Sequence, residues 1–581
     1  MKFFSKIEKG TPGIKIACLV VISSLFPVIL FSQSANEKLY LVFEETGVKV
    51  AMRDGVRLST NIFRPDSIGK FPVLLLRTPY GKNEKGRQGE YFYAQRGYVV
   101  VIQDARGRYD SEGIFDAFQA EANDGFDTQE WIGRQAWCNG SIGTFGSSYE
   151  GFTQWLPAAK QSRYLKTMFT SKTFSNLYKE VYKGGAFRIL RFCPWSFGMT
   201  RQKNVEPSFI PNIEDSLYRL IPLAGQDQVL GWKIPFLKDW LSHPQYDEYW
   251  SRTSVKDYRS IKASVFNMGG WFDSFLSGTL DNFIHMTDAG IETGIRSRQR
   301  LVMGPWIHGN EDRKTGDLDF GEEAAIESRE LELRWFESQL KGIDNGILKE
   351  PPVKIFVMGA NKWRDENEWP LARTKYKKFY FYSKGHANTL IGNGSLDTLH
   401  PATGTTDQYV YDPNNPVPTS GNLQPVDQRK IEERKDVLVF STGVLKKDIE
   451  VTGPVTVTLY AASTATNTDF TAKLVDVYPD GRAIGIREGI IRASFRNSDS
   501  APLNIEPGKV YEYHIDLWST SNLFKAGHKI RVEISSSDFP MFDRNLNVPG
   551  IPALSAQVIK AIQTIYHDKI YPSCIILPVI E

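Results

Sequence analysis

Residues 142–155 read IGTFGSSYEGFTQW, and the fold turns on what happens between the two halves of that stretch. "IGTF" has the apolar character of a short strand, and "YEGFTQW" begins a helical pattern with no linker in between. Such an abrupt strand-to-helix turn is where a nucleophilic serine can stand above a parallel sheet. The turn wants a glycine two residues before the serine, so that nothing crowds its backbone. Ser148 has Gly146 at that place, whereas Ser147 has Phe145. A second glycine is usual two residues after the serine; Glu150 stands there, with Gly151 one step later. The pattern is half met, and alone it fits a glycine-rich turn as well as a nucleophile.

Working outward, the neighbourhood favours the nucleophile. Leu39 to Arg64 alternates in short stretches broken at Thr46-Gly47 and Asp54-Gly55, as strands joined by turns do. Val73–Leu76 and Tyr98–Ile102 are unbroken apolar runs, the mark of strands buried on both faces. Between them lies a helical stretch stopped at Gly97, and 121–135 (EANDGFDTQEWIGRQ) is a further helix with Asn123 or Asp124 as its cap. This rhythm predicts an α/β domain built on a parallel sheet. It lapses from Phe174 to Arg259, a stretch rich in Trp, Tyr, Arg and Pro that reads as a helical cap, and resumes until a helix ends at Gly342. After Pro351 only short strands and turns follow, which predicts a β-sandwich, a jelly roll. The expected organisation is a catalytic domain over 37–175 and 258–349, a cap over 176–257 and the sandwich over 350–581.

Hydrolases of this sheet type carry the acid and then the histidine after the serine, each just beyond a buried strand. ASVFNMGGWFDSF (263–275) offers Asp273, and LVMGPWIHGN (301–310) offers His308. His243 and His285 fall in helical segments, and the other five histidines lie in the β-rich C-terminal part. Ser148, Asp273 and His308 are therefore the candidate triad.

With RTPYGK (77–82), QDARGRYDSEG (103–113), GSSYEG (146–151), GGWFDSF (269–275) and GPWIH (304–308) in this order, the chain resembles the cocaine esterase/X-prolyl dipeptidyl-peptidase family. That group includes CocE/NonD-like α/β-hydrolases, glutaryl-cephalosporin acylases and α-amino acid ester hydrolases. Its elbow, G-x-S-Y-x-G, accommodates Glu150 and Gly151. TDFTAKLVDVYPDGRA (468–483) and SSSDFPMFDRNLN (535–547) resemble its C-terminal jelly roll. The resemblance implies a Ser148–His308–Asp273 triad and an oxyanion hole made by the Tyr149 N–H and the Tyr80 hydroxyl. It also implies that Phe275 lines the acyl pocket; Trp155 is a pocket candidate alongside a core reading, and Glu180 of the cap a candidate carboxylate for a substrate ammonium. Amino acid ester hydrolases gather two more carboxylates just after the triad Asp. Here Phe275 and Leu276 hold those places, which favours a neutral or aromatic acyl group.

The N-terminus reads as an export signal: Lys2, Lys6, Lys9 and Lys15 precede a charge-free apolar run, Ile16–Phe31, with cleavage expected near Gln33. As a helix that run would span about 24 Å, short of a bilayer core of about 30 Å. Residues 1–33 hold four Lys and one Glu, so the net charge of +3 falls to zero without them and nothing suggests a nucleic-acid partner. Cys138, Cys193 and Cys574 are an odd set at long spacings; one bridge at most could form, and Cys138 reads as structural. No cofactor or metal is expected: there is no dinucleotide fingerprint, and Asp365–Asn367 is a solvated loop. The sequence leaves a homo-oligomer open. The expected activity is hydrolysis of small esters or amides, with release of X-Pro dipeptides and a non-catalytic glycan-binding surface protein as the rivals.

Overall fold

Every side chain of Val73–Leu76 and Val99–Ile102 is buried, and the two faces of the sheet share them out. Val73 and Leu75 pack with Ile132 on one side, while Leu74 and Leu76 pack with Tyr93, Trp335 and Phe336 on the other. This two-residue alternation into two separate apolar layers is what a strand between helices requires. The computed structural model describes residues 39–83, 89–200 and 213–581. The expected signal, residues 1–33, lies outside them.

Ten strands form the central sheet: β1 (Val42–Ala51), β2 (Arg57–Pro65), β3 (Phe71–Thr78), β4 (Val99–Asp104), β5 (Cys138–Ser147), β6 (Leu165–Ser171), β7 (Ser264–Gly270), β8 (Gln299–Gly304), β9 (Val353–Val357) and β10 (Lys362–Glu366). Their spatial order is β1-β2-β4-β3-β5-β6-β7-β8-β9-β10. Strands β3 to β9 run parallel, and antiparallel β1, β2 and β10 flank them. Helices α1 (Gly89–Gln95) and α5 (Ser328–Lys341) cover one face; α2 (Glu121–Gly133), α3 (Tyr149–Ala158) and α4 (Leu276–Thr293) cover the other. The α/β domain on a parallel sheet expected from the strand rhythm, and the α/β-hydrolase architecture implied by the resemblance, are observed.

Three details differ from the sequence reading. The domain boundary expected at 350 falls short, because β9 and β10 extend the catalytic sheet to Glu366. Helix α2 starts at Glu121 without a side-chain cap; Asp124, expected to cap it, instead binds the Arg106 guanidinium at 2.6 Å. The cap, helical for the most part, contains a small ribbon pairing Tyr182–Lys183 with Ala186–Phe187. That ribbon is fastened to the C-terminal domain: Arg492 N–H donates to Gly184 O at 2.7 Å, and Phe187 N–H to Asp543 Oδ1 at 2.8 Å.

The C-terminal strands form one hydrogen-bonded set of eleven, folded over at the short strand Ser395–Asp397. Phe381, Val457 and Ile575 of one layer share a core with Phe440, Leu474 and Val532 of the other. The sandwich is the jelly-roll domain expected. Among the described residues no helix is long and apolar enough to cross a membrane.

Candidate active site

Parallel strands deliver their following loops to one edge of the sheet, and crevices at that edge hold ligands in open α/β folds. Here β3 leads to Tyr80, β5 to Ser148, β6 to Lys172, β7 to Asp273 and β8 to His308. The pairing continues past the strands: Ser148 N–H donates to Ser171 O at 3.1 Å, Lys172 N–H to Met268 O at 2.7 Å and Trp271 N–H to Gly304 O at 2.8 Å. Neighbouring loops are thus held in register where side-chain placement matters.

Ser147 is the last residue of β5 and pairs with Ser171. Ser148 has φ 59° and ψ −123°, a conformation that L-residues hold only when their surroundings force it. Two glycines make the turn sterically tolerable. Gly146 has φ 133°, and a Cβ there would lie 2.7 Å from Glu150 Cβ; a Cβ on Gly151 would lie 2.5 Å from Thr173 Cβ. Thr173 Oγ1 donates to Ser148 O at 2.7 Å and pins the elbow from below. The first residue of α3, Tyr149, has an N–H with no partner in the helix ladder. Its side chain is buried, its hydroxyl accepting from Phe118 N–H and donating to Glu121, each at 2.9 Å.

His308 Nδ1 lies 2.7 Å from Asp273 Oδ2, with the carboxylate fully buried and the ring 23% exposed. Phe275 N–H donates to Asp273 Oδ1 at 2.6 Å, so both carboxylate oxygens are engaged. Burial pushes the Asp273 pKa up, yet His308, Lys172 and the Phe275 N–H outweigh it and hold the group below the ordinary carboxylate value. The His308 pKa is lowered, chiefly by burial, with Arg191 and Lys172 adding to the effect and Asp273 opposing it. A neutral imidazole at neutral pH is the state in which a ring can accept a proton.

Tyr80 has its hydroxyl turned to Ser148 and Trp195; Trp195 Nε1 donates to it at 3.2 Å. Burial raises the pKa of this phenol, so it keeps its proton and can donate it in a hydrogen bond. The ring of Phe275 stands edge-on to His308, centroids 5.2 Å apart. A pocket of about 190 Å³ reaches His308 from the side of the cap and the sandwich, lined by Arg191, Phe272, Ser274 and Met541.

Two pocket candidates from the sequence stand elsewhere. Trp155 is fully buried in the cluster beneath the cap with Phe152 and Met168; it belongs to the core because α3 turns that face to the sheet. Glu180 is buried and bound by Arg188 at 3.1 Å and Lys183 at 3.4 Å, so it orders the cap and is not presented to a substrate. Cys138, Cys193 and Cys574 are free and buried.

Sequence reasoning missed Lys172, Trp195 and Arg191. Lys172 could have been found from its position right after the buried strand LKTMFTS (165–171); its Nζ binds Glu311 at 2.5 Å. Trp195 and Arg191 reach the site through the cap helix Ile189–Thr200, and no local pattern announces that.

Residues 54–310 match the family model described as X-Pro dipeptidyl-peptidase (S15 family), and residues 345–576 match the X-Pro dipeptidyl-peptidase C-terminal non-catalytic domain. Cocaine esterase of Rhodococcus sp. is 38% identical, over 92% of this chain and 98% of that protein. An α-amino acid ester hydrolase structure superposes with a TM-score of 0.79 at 26% identity, covering 96% of this chain and all of that one. An aminopeptidase from a Thaumarchaeota archaeon gives a TM-score of 0.80 at 25% identity, covering 93% of this chain and 97% of that one.

Proposed function

The chain belongs to the cocaine esterase/X-Pro dipeptidyl-peptidase (S15) family of serine hydrolases, and from that premise we propose that it is an exported esterase working through an acyl-enzyme on Ser148. In this reading His308 Nε2 takes the Ser148 proton as Oγ attacks the substrate carbonyl, and Asp273 holds the ring by Nδ1 and stabilises the imidazolium. The oxyanion is received by the Tyr149 N–H and the Tyr80 hydroxyl. Collapse of the tetrahedral intermediate expels the alcohol, protonated by His308, and water activated by the same ring then releases the acid.

The observation that carries the proposal is the buried Asp273–His308 pair at 2.7 Å on the sheet edge where Ser148 is held at positive φ. The exopeptidase reading is less well supported. A peptide's free N-terminus needs an acidic anchor, and Glu180 is already bound by Arg188 and Lys183. Export rests on the basic, then apolar, N-terminal segment of the sequence.

Purified protein incubated with p-nitrophenyl esters and with Ala-Pro-p-nitroanilide tests the reading. Turnover of the esters without anilide release is expected. Anilide release without ester turnover would replace the proposal with the exopeptidase.

A further inference from the structure

We propose that Arg191 recognises a carboxylate at the far end of the substrate's acyl group, so that the preferred esters are hemiesters of dicarboxylic acids; this rests on the esterase reading above. The cations around the site are otherwise spoken for. Arg188 binds Glu180, Lys172 binds Glu311, and Arg108 donates to the carbonyls of Pro79 and Met199. Among the described residues Arg191 forms no ion pair or side-chain hydrogen bond; its guanidinium lies over the Phe275 ring, 4.7 Å from the centroid. A half-buried cation whose direct contact is a ring face, with the Asp273 and Glu180 carboxylates acting on it only from a distance, has guanidinium N–H groups left to receive an anion. Burial also lowers its pKa, which the nearby Asp273 counteracts.

Its position suits the acyl side. Phe275 lies close to both groups, its ring 5.2 Å from that of His308 and under the guanidinium, and Arg191 and His308 line the same pocket. An acyl chain passing along Phe275 from the Ser148 carbonyl would bring its end to the guanidinium. The placement is built in advance. Arg188 Nη2 donates to Ser274 O at 2.8 Å, and Leu190 N–H donates to Pro540 O of the sandwich at 3.0 Å. The helix carrying Arg191 is thereby tied both to the loop after β7 and to the C-terminal domain. The neutral acyl group expected from Phe275 and Leu276 leaves this cation out of account.

The test compares p-nitrophenyl hemisuccinate and hemiadipate with p-nitrophenyl butyrate and hexanoate, neutral esters of the same chain lengths, in the full-length protein and in Arg191→Met and Arg191→Lys. At least one hemiester should exceed its neutral counterpart in kcat/KM. Arg191→Met should lower that hemiester by about tenfold to 100-fold more than it lowers the neutral ester, the range for a lost hydrogen bond to a charged group, with both measured on the pH plateau above the acid limb, because Arg191 also depresses the His308 pKa. Arg191→Lys should retain part of the preference. Equal rates for charged and neutral esters in the unaltered protein would overturn the proposal. So would an equal loss on both in Arg191→Met, since that would mean Arg191 only tunes the triad. A protein that turns over none of the four esters and takes no fluorophosphonate label overturns the esterase reading along with this one.

Discussion

Replacing Tyr80 with Phe removes one hydroxyl and leaves a ring whose packing against Tyr149, edge-on with centroids 6.4 Å apart, stays intact. Two groups feel the loss. Trp195 Nε1 loses its acceptor, at a cost of about 1 kcal/mol in stability. In the proposed mechanism the oxyanion loses one of two donors, and removal of such a donor costs about 2.7–4 kcal/mol of transition-state stabilisation. The Tyr149 N–H remains and Ser148 is only partly buried, so water can replace some of the interaction. The lower end of the range follows, a fall in kcat of roughly 100-fold. KM should change little, because the neutral ground-state carbonyl gains less from the phenol than the oxyanion does. Steady-state kinetics on p-nitrophenyl butyrate, with a thermal melt to show that the fold persists, measure both. A rise in KM at unchanged kcat would refute the reasoning, since it would make Tyr80 a binding residue with no preference for developing charge.

Ser148→Ala should abolish turnover while Ser147→Ala retains substantial activity; equal loss in two folded variants would void the choice of serine. The lowered His308 pKa places the acid limb of kcat/KM below pH 6.5, because the ring must be neutral to accept the proton. Lys172→Met removes a cation that depresses that value, so the limb should move to higher pH; a shift to lower pH would contradict the assignment. Gly146→Ala puts a Cβ 2.7 Å from Glu150 Cβ at φ 133°, so a loss of about 1–3 kcal/mol is expected; an unchanged melting temperature would show that the turn is not strained.

Much of this was legible in the chain because burial on both faces leaves a plain signature. Val73–Leu76 and Val99–Ile102 read as strands, and the loops after them then had to fall on one edge, which placed Asp273 near His308, the pair observed at 2.7 Å, with Ser148 on a neighbouring loop of the same edge. The boundary at 350 was not legible. A strand such as Val353–Val357 has the same composition whether it joins a parallel sheet through β8 or a sandwich, and only long-range pairing decides. Glu180 misled for a related reason: residue type suggests what a side chain can do, but the partner Arg188 decides what it does; Trp155 is in the core, the reading preferred for it. Arg191 went unseen because a cap folds back over the site from a distance, and its tethers to Ser274 and Pro540 are tertiary.

Exposure of active protein to a fluorophosphonate, followed by peptide mass mapping, tests the shared site most directly. A single adduct on Ser148, lost when His308 is replaced by Ala, is what a hydroxyl activated by that imidazole requires. An adduct on Ser147, or undiminished labelling of Ser148 without His308, would contradict it.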